Sequence, residues 1–348
     1  SVHGGTPALK GSGVIVGMID TGIDYRHGCF RKADDTSRIL FLWDMSPPSG
    51  ATGSPPSGFS IGIEYTQAQL NSALSNPDPL SVVPHEDTNG HGTHTAGITA
   101  GNGRPEGNCR GSGTFVGMAP EAELIVVKLS SGSEELGESM NLVDAIDYIF
   151  QKADAASKPA VINISLGDNL GAHDGTSLVE QFIDLFLLLE DGRAIVKSAG
   201  NEGNDDRHAK GTISASGAPG VDVQFQVPAS LSDKVVMDLW YGGPDRFDIT
   251  ITPPTGSGVG PISPENLVTN SALGNGNTVT INSQLDDPDN NDNRIQIEIR
   301  KGTQTNIASG TWTMNVTATT LSDGNFHVWI ERDTHTCFLS PAVDFTIS

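Results

Sequence analysis

Three positions in this 348-residue chain combine a chemically useful side chain with a setting that would hold it still. Asp20 ends the apolar run of "VIVGMIDTGID" and is followed at once by Thr21 and Gly22. His91 opens the small-residue stretch of "NGHGTHTAGITAG", which reads as the start of a helix. Asn201 lies just past another apolar run, in "VKSAGNEGN". A carboxylate, an imidazole and a side-chain amide are what a serine hydrolase needs besides its nucleophile. The carboxylate orients the imidazole, the imidazole takes the proton, and the amide donates to the developing oxyanion.

The elements that would carry these groups are legible through about residue 210. Short apolar runs at Val14–Ile19, Ala122–Leu129, Ala160–Leu166 and Ala194–Ala199 alternate with helical patterns. Leu142, Ile146, Ile149, Phe150 and Ala153 fall at helical spacing, as do Leu178, Phe182, Leu185, Phe186 and Leu189. Near-continuous apolar strands between amphipathic helices predict an α/β fold, a doubly wound parallel sheet covered on both faces. Such sheets carry their chemistry beyond the carboxyl ends of the strands, where Asp20 falls. Pro47–Phe59, rich in Pro, Gly and Ser, reads as a surface loop. Thr66–Leu74 reads as a short helix capped by Thr66.

From about residue 216 the period changes to two. "VDVQFQV", "FDITIT", "TVTIN", "RIQIEIR", "TWTMNVT", "FHVWIE" and "VDFTI" alternate apolar with polar and are separated by turn clusters. Seven or more such strands without a helical pattern predict a β-sandwich of the jelly-roll kind. The expected division is therefore 1–215 for the α/β part and 216–348 for the β-sandwich.

Composition narrows the partners. Twenty basic residues against 42 acidic ones leave a net charge of −22, which speaks against nucleic acid or an anionic membrane surface. No apolar run approaches the roughly 20 residues of a membrane span. Cys29, Cys109 and Cys337 are odd in number and form no CxxC pair, which argues against a disulfide framework or a structural zinc site and leaves room for one bridge. The chain opens on Ser1-Val2-His3, which reads as a processed chain, and a secreted or extracellular location is the expectation.

The stretches "VIVGMIDTGID", "NGHGTHTAG", "GMAPEAELIVVKL", "VINISLG" and "SAGNEGN" occur in the order found in subtilisin-like serine proteases, and residues 10–205 resemble that family. The resemblance implies peptide-bond hydrolysis of protein or peptide substrates, with no cofactor required. It makes Asp20 the triad aspartate, His91 the general base and Asn201 the oxyanion donor. It further implies that Ser165, Leu166 and Gly167 pair with substrate backbone, that Ser130, Ser131 and Gly132 form the opposing strand, and that Ser198, Ala199 and Gly200 line the specificity pocket.

One part of the pattern is missing. The family's nucleophile lies in a Gly-Thr-Ser-Met-Ala-type motif after the oxyanion asparagine, and nothing of that kind follows Asn201. The expectation is a β-domain inserted in the protease domain, with the serine on a C-terminal segment outside this chain. Gly175-Thr176-Ser177 offers the tripeptide before Asn201, where Thr176 or Ser177 with Glu180 reads instead as a helix cap. The rival reading is a pseudoprotease that keeps the fold as a peptide- or partner-binding scaffold.

Three further patterns have plainer explanations. Asp20-Thr21-Gly22 also matches the aspartic-protease signature, but that mechanism needs a second facing carboxylate and the chain has no second such motif. His91 and His94 lack the glutamate of a zincin pattern, and His94 reads as an interior residue. "LDDPDNNDN" has oxygen donors that suit a structural calcium ion, but without the EF-hand pattern and between strands it reads as a solvated turn.

Overall fold

The computed structural model describes residues 9–104, 111–129, 135–217, 219–229, 231, 234–331 and 336–340. The chain forms two compact units, one of Ser1–Leu166 with Val179–Ser198, the other of Gly167–Leu178 with Ala199–Ser348.

The first unit is built on six strands: β1 (Ile15–Asp20), β2 (Ile39–Asp44), β3 (Ile63–Thr66), β4 (Glu123–Lys128), β5 (Ala160–Ile164) and β6 (Arg193–Lys197). Helices α1 (Gln67–Leu74), α2 (His91–Ala100), α3 (Glu135–Ala155) and α4 (Leu178–Leu189) connect them. The sheet order is β3-β2-β4-β1-β5-β6. Every neighbouring pair is parallel except β2 with β3. Alternate residues of the central strands enter two separate cores. Ile15, Ile19, Ile125, Val127, Ile162 and Ile164 pack with Ile146, Ile149 and Phe150 of α3 and Phe186 of α4. Val16, Met18, Leu42, Leu124 and Val126 pack on the other face with Leu70 and Ala73 of α1 and Ala96 and Ala100 of α2. This is the doubly wound arrangement, and each fully buried Ile, Leu or Val in it stabilises the fold by about 1.5–3 kcal/mol.

The four apolar runs account for β1, β4, β5 and β6. β2 departs from the strand–helix alternation, because a loop with a single 3-10 turn at Gly28–Phe30, rather than an α-helix, leads into it. α1 starts as expected: Thr66 and Gln69 form a reciprocal capping box. α4 begins directly after Ser177, with Glu180 in its first turn, the place that the helix-start reading assigns them.

The second unit contains β7 (His208–Thr212), β8 (Val221–Val227), β9 (Lys234–Tyr241), β10 (Arg246–Thr252), β11 (Val259–Ile262) and β12 (Leu267–Ala272). It continues with β13 (Thr278–Gln284), β14 (Asn293–Arg300), β15 (Gly310–Thr320), β16 (Asn325–Ile330) and β17 (Cys337–Ser340). They form two antiparallel sheets, of order β11-β10-β15-β8-β17 and β12-β13-β14-β9-β16-β7. One core lies between them, with Phe225, Phe247, Ile249, Trp312 and Met314 from the first and Met237, Leu239, Ile281, Ile297 and Phe326 from the second. This is a β-sandwich. β9 does not alternate in sequence because both its faces are buried: Val235, Met237 and Leu239 face the core, while Asp238 on the other face accepts from Gly171 N and Trp240 Nε1 and pairs with Arg294.

The division at 215/216 expected from periodicity differs from that between the units. β7 lies before it yet pairs with β16 through Thr212↔Asn325 and Ala209↔Val328, and Gly167–Leu178 also belongs to the second unit. "HAKGT" has too little apolar alternation to announce a strand, so the edge of the sandwich is silent in the sequence. The stretch "VDFTI" at 343–347 lies outside the described residues.

Among the described residues, no helix is long and apolar enough to cross a membrane. Cys29 and Cys337 are free thiols; Cys109 lies outside the described residues. The Asp-rich loop is bonded internally, with Asp289 N donating to Asp287 Oδ1, Asp292 N to Asn290 Oδ1 and Asp286 N to Asn293 Oδ1. It also reaches the start of α4, where Asp289 Oδ2 accepts from Leu178 N and Asn290 Nδ2 donates to Asp174 Oδ2. Among the described residues no group of three or more His, Cys, Asp or Glu is disposed to hold a metal ion.

Candidate active site

Asp20 is the last residue of β1 and is fully buried. A buried carboxylate is tolerable only when donors replace its lost water, and three donors reach Asp20. Oδ1 accepts from Thr21 N at 2.8 Å and lies 2.7 Å from His91 Nδ1; Oδ2 accepts from Thr95 Oγ1 at 3.0 Å. An ionised carboxylate cannot donate, so in that contact Nδ1 is the donor, and in the neutral ring Nε2 is then left to accept. That is the tautomer of a general base. The His91 side chain is 43% exposed against 0% for Asp20, so the ring is fixed on one edge and open on the other.

The start of α2 makes this pairing possible. Asp87 lies four residues before His91 and accepts from Gly90 N (2.9 Å), Thr93 N (2.8 Å) and Thr93 Oγ1 (2.7 Å), taking two of the orphan amides at the helix start. Its Oδ1 also accepts from Thr21 Oγ1 at 2.8 Å, and Thr21 Oγ1 in turn accepts from Gly92 N at 2.9 Å. Thr93 Oγ1 accepts from Asp24 N at 2.8 Å. Two threonines thus stitch the turn after β1 to the first turn of α2. Partial burial of Asp87 opposes its ionisation, but the bonds from Thr93, Gly90 and Thr21 outweigh it and hold the carboxyl below the usual carboxylate range. Gly92 is required by contact: a Cβ there would lie 2.1 Å from Gly22 O and 3.1 Å from Asp20 Cβ.

The structure brings Asp20 and His91 together. Asn201 belongs to the second unit; it is exposed, and its backbone N donates to Glu202 Oε2 at 2.7 Å. Ser165 and Leu166 follow β5, with Ser165 Oγ accepting from Asn163 Nδ2 at 3.0 Å. Ser198 follows β6 and its N donates to Ile164 O at 3.0 Å, so the carboxyl ends of β5 and β6 stay in register. Gly167, Ala199 and Gly200 belong to the second unit, and Gly200 adopts a φ of +86°. Ser130, Ser131 and Gly132 lie outside the described residues.

His94 is exposed, contrary to the interior position expected of it. The buried stripe of α2 runs through Gly92, Ala96 and Ala100, and position 94 lies about 200° around the helix from Gly92. Sequence reasoning passes over Asp87 and Thr95. Both were accessible, one as an acidic residue just ahead of a helix start, the other as a hydroxyl four residues after His91 on the same face.

Fold and site together define a doubly wound α/β protein with an aspartate–histidine pair at the carboxyl edge of its sheet. The chain belongs to the subtilase family, whose sequence model matches residues 11–226. It is 30% identical over 258 residues to the PII-type proteinase of Lacticaseibacillus paracasei, covering 71% of this chain and 13% of that protein. It is 34% identical over 125 residues to the major intracellular serine protease of Bacillus subtilis, covering 36% of this chain and 33% of that one. Among solved structures, the CspB protease of Clostridium perfringens matches at 29% identity and a TM-score of 0.77, over 98% of this chain and 68% of that one. The chain spans only about an eighth of the length of the first of these relatives.

Proposed function

We propose that this chain supplies Asp20, His91 and Asn201 to a subtilase endopeptidase whose nucleophilic serine is carried on sequence outside residues 1–348. The observation that carries this reading is the 2.7 Å contact between a fully buried carboxylate and a half-open imidazole, Asp20 Oδ1 to His91 Nδ1. A scaffold that only binds peptides has no need of a carboxylate kept dry for the sake of a ring's tautomer.

The chemistry follows the serine-hydrolase course. His91 Nε2 takes the proton of the attacking hydroxyl, and Asp20 stabilises the imidazolium that results. Asn201 Nδ2 donates to the tetrahedral oxyanion, a contact whose loss typically costs about 10²–10³ in turnover. His91 then passes its proton to the leaving amine, and a water activated in the same way releases the acyl group. Ser165–Gly167 and Ser130–Gly132 would hold the substrate backbone, and Ser198–Gly200 the side chain before the cleaved bond.

Exposed apolar side chains support a missing segment. Leu185 (47%), Leu188 (84%) and Leu189 of α4, with Val196 (54%) of the edge strand β6, remain in contact with water. β1 and β4, by contrast, are buried on both faces. An edge strand and helix that stay apolar where they are exposed fit a surface awaiting more of the same domain.

The test is a fluorophosphonate probe applied to the full-length product and to residues 1–348. The expected result is label on a serine outside the 348 residues, lost in Asp20→Asn and His91→Ala, and no label on the shorter chain. Label on Ser177 in the shorter chain would overturn the assignment of the nucleophile. A folded full-length product with no reactive serine would make the protein a pseudoprotease scaffold.

A further inference from the structure

A second aspartate–histidine pair lies two strands along the same edge of the sheet. Asp44 ends β2, and His85 lies six residues before His91 in the approach to α2. His85 Nδ1 is 2.6 Å from Asp44 Oδ2, and both side chains are fully buried. The other ring nitrogen, Nε2, accepts from Ile23 N at 3.3 Å. A ring nitrogen that accepts carries no proton, so the ring is neutral and its single proton is the one Nδ1 gives to Asp44. Asp44 Oδ1 accepts from Ser46 N at 2.9 Å. Oδ2 also faces Lys128 Nζ at 3.9 Å, and that ammonium donates to Glu86 O at 3.0 Å.

This pair is poorly suited to proton transfer with a substrate, because its ring has no exposed edge. Its place in the sheet suggests another task. Asp20, Lys128 and Asp44 occupy one row across β1, β4 and β2, through the register pairs Asp20↔Lys128 and Asp44↔Lys128. The His85 ring lies against the turn that follows Asp20: a Cβ on Gly22, whose φ is +119°, would meet His85 Cε1 and Nε2 at 3.1 Å. That turn contains Thr21, whose N–H holds Asp20 Oδ1 and whose hydroxyl reaches Asp87. Thr21, Gly22 and Ile23 are therefore held from the α2 side by Asp87 and from beneath by His85.

We propose that Asp44–His85 is a positioning pair, which fixes the Thr21–Ile23 turn and through it the aim of Asp20 at His91. The role rests on reading Asp20–His91 as the catalytic pair, yet it can be tested without turnover. His85 needs two properties at once, an Nδ1 donor toward Asp44 and an Nε2 acceptor toward Ile23. Glutamine preserves the acceptor near the Nε2 position; leucine fills the volume and preserves neither.

The experiment is nitrogen-15 histidine NMR on residues 1–348, reading the His91 Nδ1 proton bonded to Asp20 and the ring tautomer of His85. In the parent, His85 Nε2 should show the unprotonated shift. A protonated Nε2 would overturn the proposal with no substitution made, so the idea stays testable if a variant fails to fold. In folded His85→Leu the His91 Nδ1 proton should broaden or move upfield, and His85→Gln should restore much of it. An unchanged His91 signal in folded His85→Leu, or no difference between Leu and Gln, would reduce His85 to a space-filling residue. In the full-length enzyme the same pair of variants should lower kcat roughly tenfold for Leu and less for Gln with KM little changed, since a loosened base affects chemistry before binding. Should Asp20→Asn leave turnover intact there, the catalytic reading fails, while the NMR result on His85 still stands or falls by itself.

Discussion

Gly92→Ala is the substitution that most directly asks whether the contact between α2 and the turn after β1 builds the site. The added methyl would sit 2.1 Å from Gly22 O, where a relaxed carbon–oxygen contact needs about 3.3 Å. The helix and the turn must therefore separate by about 1.2 Å. The neighbours on either side, Gly22 N at 3.0 Å and Asp20 Cβ at 3.1 Å, are backbone or the root of a fixed side chain and cannot swing away. Overpacking of this kind costs about 1–3 kcal/mol, and a backbone obstacle places the expectation near 3. The same shift would stretch the 2.7 Å His91–Asp20 bond past about 3.5 Å, where little of it survives. Gly97 in the same helix is the control, because a Cβ there meets nothing within 4 Å. Gly97→Ala should gain about 0.5–1 kcal/mol from the unfolded chain's lost freedom. The assay is urea denaturation of all three proteins, with the His91 Nδ1 proton read in the same samples. If Gly92→Ala unfolds within about 0.5 kcal/mol of the parent and keeps that proton in place, the close approach does not hold the site together and the argument fails.

Other substitutions probe the same framework from outside it. Asp87→Asn should cost about 1–3 kcal/mol at pH 7, since one acceptor becomes a donor facing donors from Thr93 or from Gly90 and Thr21. The folded carboxyl of Asp87 is held below its ordinary value, so its contribution is present above about pH 4 and is lost as pH falls through the folded value. The stability gap between parent and Asp87→Asn, measured by urea midpoints, should therefore shrink from pH 7 to pH 3; a gap that widened in acid would contradict it. Arg38→Met should cost about 2–4 kcal/mol by the same assay, because the nearly buried guanidinium serves the carbonyls of Cys29, Ala100 and Ala122, and methionine serves none of them. A loss under about 0.5 kcal/mol would mean that water reaches those carbonyls.

The parts of the fold that were legible in sequence are those where one physical demand dominates. β1 and β4 are dry on both faces and so read as unbroken apolar runs, while β13 and β14 are dry on one face and alternate. β9 is dry on both faces inside an antiparallel sheet, with Asp238 placed among its apolar residues, and neither template describes it. β7 is an edge strand with Ala209 its one fully buried residue, so its own residues carry little signal. The site divides in the same way. Asp20 and His91 stand out because a charged or basic side chain at a strand end or helix start is locally conspicuous. Asp44 and His85 are 41 residues apart and meet only through the tertiary fold, with nothing local to mark either one.

The sheet's carboxyl edge concentrates charge that an interior would reject. Asp20 and Asp44 are both fully dry, and the one ammonium in their row, Lys128, lies 3.9 Å from Asp44. Two buried carboxylates beside one cation would be costly if Coulomb attraction alone had to offset their lost hydration. Hydrogen bonds make up the difference: Asp20 receives Thr21 N, His91 Nδ1 and Thr95 Oγ1, and Asp44 receives Ser46 N and His85 Nδ1. The amino end of α2 adds its partial positive charge near Asp20 and Asp87. Each donor that stabilises a carboxylate also restricts where it can point, so the bonds that make burial tolerable are the same bonds that aim Asp20. A strand that ends on a buried aspartate is thus stable only because the turn behind it and the helix beside it are held in one arrangement, and that arrangement is what sets the orientation and tautomer of His91.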